Sequence, residues 1–175
     1  MRDWMLPLVF SVVAVVLQVV FAPILSVFSV VPSFIVPFVF VLSIMRRPDT
    51  TYLYAFVLGL IADLLAQTPV GLTALLLLAA SFGLSHSFEV LDASTPTMPV
   101  IALAAAAALY EILFMIVLLI VGYQGSFIEL LLYRALPSVL FDVLIGVVYF
   151  LIMRRLPFTQ ASNDAWTVSD NVRFR

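Results

Sequence analysis

The stretch GLIADLLAQTPVGLTALLL, residues 59–77, decides the fold class. Two apolar segments flank the short turn Gln67–Thr68–Pro69–Val70. Pro69 cannot extend the first helix, since it has no N–H to donate and its ring collides with the preceding turn. Gly71 relaxes the backbone where the second helix begins. The result is a helical hairpin too greasy for water, with one charge, Asp63, a helical turn before the bend. Upstream, Ala55, Gly59 and Asp63 recur at i, i+4 and i+8, so one face of the first helix is small and then acidic. Small residues at that spacing let a second helix approach closely. Asp63 is therefore expected to accept from backbone amides at the 69–71 turn or from a neighbouring helix, or else to meet a partner or ligand.

The rest of the chain has the same character. Of its 175 residues 65% are hydrophobic and 10% charged, with a mean hydropathy of +1.23. About a quarter of the residues of a soluble domain are charged, so this is an all-α polytopic membrane protein. Cysteine is absent, which removes disulfide frameworks and thiolate metal sites. All eight basic residues are arginine, and no cluster of them suits nucleic acid. The first apolar run reads as a permanent span rather than a signal, because Pro23 after Ala22 makes a poor cleavage context.

A span needs about 20 mostly apolar residues. The runs fall at about 6–21, 30–45, 52–66, 72–87, 99–121 and 131–153, with Pro32 and Pro37 kinking the second or making its outer part irregular. Basic residues favour the cytoplasmic side. Six spans with both termini cytoplasmic put Arg2, Arg46–Arg47, Arg154–Arg155 and the tail arginines inside, leaving only Arg134 outside. Five spans would strand Arg2 or Arg154–Arg155. The expectation is a six-helix transmembrane domain over 1–155 and a polar, flexible cytoplasmic tail over 156–175. The turn at 67–70 faces outward, and the outer segment Gly122–Leu130 starts a short interfacial helix that runs into the sixth span.

Ionisable groups inside a bilayer are costly, about 2.5–3.5 kcal/mol for a central Asp on insertion scales. Glu111 falls near the middle of the fifth span and Asp142 near the middle of the sixth. Neutral carboxyls joining helices and an ion-handling role are equally open for this pair. Arg134, Ser138 and Asp142 share a face with Gly146, but Arg134 lies roughly 12 Å of rise from Asp142. A hydroxyl or water relay is expected between them instead of a direct salt bridge. Ala102–Ala108 smooths the inner half of the fifth helix. Gln18 reads as a helix-packing residue and His86 as an interface residue.

Catalytic patterns fail. The chain has no Gly-rich phosphate loop, HExxH or GxSxG, and its aspartates stand in IADLL and LFDVL, not in a GxGD motif. One histidine supports neither a Ser–His pair nor a His-based metal site. No catalytic residue, metal or cofactor is expected; the chain does not read as an enzyme.

Taken together, PSFIVPFVFVLSIMRR (32–47), GLIADLL (59–65), PVGL (69–72), RALP (134–137) and the Arg154–Arg155 end resemble the MreD family of bacterial rod-shape proteins. The resemblance covers the helical region and stops before the tail. It implies a multi-pass subunit of the inner (plasma) membrane that serves the cell-elongation machinery (the elongasome) and peptidoglycan synthesis as a scaffold. Its direct partner would be MreC. MreB, RodZ, RodA and a class B penicillin-binding protein would be more distant partners, with membrane lipids around it and no nucleic acid. It also implies a fold similar to the S-components of energy-coupling-factor transporters, and it maps the family's Asp, Pro and Gly positions onto Asp63, Pro69 and Gly71, with Gly59 at the head of the same motif. The alternative is a small-molecule or vitamin-binding transporter subunit of the S-component type. That reading needs a docking ladder of small residues on the first helix, which here would be Ala14–Gln18–Ala22, broken by Gln18.

Overall fold

The computed structural model describes residues 2–25, 31–45, 48–66, 69–90, 98–122 and 127–155. The Arg46–Arg47 pair, Gln67–Thr68, most of the loop after residue 90 and the polar tail lie outside the described residues. Those described form helices and turns: α1 (Arg2–Val20), α2 (Ile35–Met45), α3 (Pro48–Ala66), α4 (Leu72–Val90), α5 (Met98–Ile120), α6 (Phe127–Leu130) and α7 (Leu136–Arg154). Between α6 and α7, Leu131–Ala135 winds as a π-helix, so the chain is helical from 127 to 154. The short helix expected within 122–130 does run on into the last long helix. Pro137 explains the widening, since it has no N–H for the carbonyl one turn back and its ring would crowd it.

The expected runs and the helices differ at two ends. The second run, placed at about 30–45, is helical only from Ile35; Val31–Ser33 forms no helix, so Pro32 lies outside the helix and Pro37 sits in its first turn, where no N–H is required. In contrast α3 begins at Pro48, four residues before the apolar run at 52.

At 11 residues, α2 spans only about 16 Å, yet it is the centre of the bundle. Every residue from Ile35 to Ser43 is buried, and α1, α3, α4, α5 and α7 all pack on it. A helix apolar on all sides belongs in such a place. Phe38 meets Tyr149 edge-on at 5.5 Å, and Phe40 meets Tyr110 at 6.1 Å. At its start, Gln18 of α1 holds the segment leading in: its Oε1 accepts from Phe34 N at 2.7 Å, and its Nε2 donates to Pro32 O at 3.5 Å. The other end is tied by Ser85 Oγ, which donates to Ser43 O at 3.4 Å.

The molecule is inverted relative to a soluble domain. Its outer surface carries Val12, Val16, Ile101, Ile112, Leu140, Leu144 and Val148, while Asp63, Thr73, Ser81, Glu111 and Asp142 are buried. An apolar surface of that extent is incompatible with a monomer in water, and it is what a hydrocarbon solvent requires. Two helices, Met98–Ile120 and Leu131–Arg154, are long and apolar enough to cross a membrane on their own.

Candidate functional site

The most extensive helix–helix contact is the α3–α4 hairpin. It is close because Gly59 has no side chain: a Cβ there would lie 2.5 Å from Ala74 Cα and 2.8 Å from Ala74 N. Ala55 and Ala74 are both fully buried in this seam. The small face read from the spacing is therefore the face that packs.

One turn above Gly59, the same seam presents Asp63 to the start of α4. The first amides of any helix lack intrahelical acceptors. Here Asp63 supplies them: its Oδ1 accepts from Thr73 N at 2.9 Å, and its Oδ2 from Gly71 N at 2.8 Å and Ala74 N at 3.4 Å. This is an N-cap delivered from the neighbouring helix, with the carboxylate at the positive end of the α4 dipole. Asp63 is fully buried, as this geometry requires. The bend is completed by Leu72 N donating to Pro69 O at 3.1 Å, and by Gly71 at φ +98°. Only glycine takes that conformation without penalty. Pro69 and Val70 form an exposed tip, Val70 being 68% accessible.

Gly71→Ala tests the bend by itself. A Cβ would meet nothing within 4 Å, so the substitution costs only the left-handed backbone, about 1–2 kcal/mol. A thermal melt in detergent should show a modest downward shift with the fold retained.

From the clamp a line of polar side chains crosses the bundle. Thr73, whose amide Asp63 holds, lies beside the Tyr110 side chain of α5. The next residue, Glu111, is buried beside Ser138 of α7. The charge of Arg134, in the π-helical turn, acts on Glu111, and its guanidinium lies over the Phe114 ring at 5.0 Å. Asp142, one turn beyond Ser138 on the same helix, is buried. The structure thus gathers Glu111, Arg134, Ser138 and Asp142 at the α5–α7 seam. It puts Gly59, Asp63, Pro69 and Gly71 in the hairpin, and joins the two groups through Thr73 and Tyr110. Glu111 and Ser138 occupy the gap between Arg134 and Asp142.

Thr73 and Tyr110 were not singled out by the sequence reading. Each is a lone polar group in an apolar run beside an acid-linked position, but only the packing of α4 against α5 shows that they meet. His86 is exposed, its ring stacked on Phe82 at 6.2 Å, which keeps it away from this line. Among the described residues, no three His, Cys, Asp or Glu side chains gather as a metal site.

A family model described as rod shape-determining protein MreD matches residues 1–157, which takes in both polar groups. No curated protein and no solved structure matches the chain.

Proposed function

This chain belongs to the MreD family of rod shape-determining membrane proteins, and on that premise we propose that it is a non-catalytic scaffold of the bacterial elongation machinery that binds MreC. In this reading six spans cross the inner membrane, both termini are cytoplasmic, and the Pro69–Val70 tip stands on the outer side. The arginine distribution supports that topology, as does the apolar exterior carried by every long helix.

The observation that carries the reading is the Asp63 clamp. The buried acid satisfies amides that would otherwise be bare, and in doing so it holds the turn in one shape, as a surface read by another protein requires. The clamp, the Gly59 contact and the positive-φ glycine all act to fix the tip, and a preformed surface loses less freedom on binding. The partner would contribute a periplasmic or membrane-embedded face that reads Pro69 and Val70. RodA and its class B penicillin-binding protein, MreB and RodZ would be reached through MreC or through the remaining helix faces, bringing peptidoglycan synthesis under the same scaffold.

The transporter-subunit reading loses its docking surface. Ala14 and Ala22 are buried and Gln18 is occupied by the entry to α2, so this ladder faces the chain's own core.

Gentle extraction of the tagged protein from its native membrane, followed by mass spectrometry of whatever is retained, tests the proposal. MreC should be enriched above an unrelated six-span control; its absence at physiological expression would count against the scaffold reading.

A further inference from the structure

We infer that Glu111 and Asp142 together hold one monovalent cation, a labile proton or a sodium ion, inside the bundle. Glu111 is 8% and Asp142 2% accessible, and each keeps one carboxyl oxygen, Oε2 and Oδ2, with no hydrogen-bond partner among the described residues. An unsatisfied buried polar atom is expensive, and a charged one more so. The two acids stand on packed helices: Leu103 of α5 lies against Gly146 of α7, and the antiparallel register counted from there sets Glu111 at the level of Ser138, one turn from Asp142.

Charge accounting sets the stoichiometry. Arg134, its guanidinium over the Phe114 ring one turn along α5 from Glu111, is the cation on the Glu111 side, and among the described residues no cation pairs with Asp142. Two carboxylates against one guanidinium leave a single negative charge within the apolar seam, which one monovalent cation neutralises. A divalent ion would overshoot. The other groups facing the pair do not change the count: Tyr110 and Ser138 are neutral donors, and Asp63 is matched by the amides of α4. Intramembrane acids satisfied this way belong to proton and ion sites in general. Nothing in this inference depends on MreC binding.

Dicyclohexylcarbodiimide, an apolar reagent that attacks protonated carboxyls, tests the site in the wild-type protein reconstituted in liposomes. Peptide mass spectrometry should locate adducts on Glu111 or Asp142 and not on Asp63. Raising the pH in sodium-free choline buffer should slow labelling severalfold if the occupant is a proton. Sodium replacing choline at fixed pH and ionic strength should slow it severalfold if the occupant is sodium. Either response supports the site. Absence of label on both residues, or labelling indifferent to both pH and sodium, overturns it.

Discussion

Asp63→Leu is expected to loosen the α3–α4 hairpin by several kcal/mol and to lower the melting temperature of the purified protein more than any surface substitution. Leucine has about the right volume but leaves the amides of Gly71, Thr73 and Ala74 without their acceptor. Hydrogen bonds to a charged group contribute about 1.5–3 kcal/mol each, and the 3.4 Å contact to Ala74 counts for least. Asp63→Asn gives the internal comparison. Its single amide oxygen can keep the Gly71 and Ala74 pair, while its NH2 would face the Thr73 N–H, donor against donor. Asparagine should therefore fall between the wild type and leucine. Limited proteolysis at the 67–71 bend reads the same order: slow for wild type, faster for asparagine, fastest for leucine. Equal rates for all three would mean that the carboxylate caps nothing of consequence.

The second large effect comes from Gly59→Val. Its Cβ alone would fall 2.5 Å from a backbone atom of Ala74, and backbone cannot rotate away as a side chain can. The contrast with Gly146 is instructive: a Cβ there meets Leu103 Cδ2, also at 2.5 Å, but that is the end of a flexible side chain. Overpacking costs about 1–3 kcal/mol where neighbours can adjust. At Gly59 the helices must separate, which also pulls Asp63 off the α4 amides one turn above. Gly59→Val should therefore reduce folded protein in the membrane sharply, while Gly146→Ala should be tolerated; fluorescence-detected size-exclusion chromatography of the two variants checks the ranking. Comparable monodisperse peaks would contradict the close approach of α3 and α4.

These two positions were legible in the sequence for definite reasons. An acid in an apolar helix beside a Pro–Gly bend has few places to send its oxygens, and small residues spaced by four mark a seam. Helix ends were less legible. Hydropathy reports which residues tolerate lipid, whereas a helix is a ladder of backbone hydrogen bonds. For this reason α3 runs back to Pro48 past polar Thr50 and Thr51, and α2 stops short at Ile35 although the chain before it is apolar. The central position of α2 was not read from the sequence, because every run is apolar and only tertiary packing shows which of them the others surround. The link from Thr73 through Tyr110 to Glu111 was out of reach, because it joins residues 37 positions apart through tertiary packing.

The hairpin tip offers the most direct test of the scaffold reading, because the natural chain has no cysteine. Val70→Cys, carrying a short photo-crosslinker, should capture MreC in intact cells, and capture should fall severalfold when Asp63→Leu is added at matched membrane levels. Undiminished capture in the Asp63→Leu background, or none from Val70→Cys with Asp63 intact, would contradict a partner surface set by the clamp.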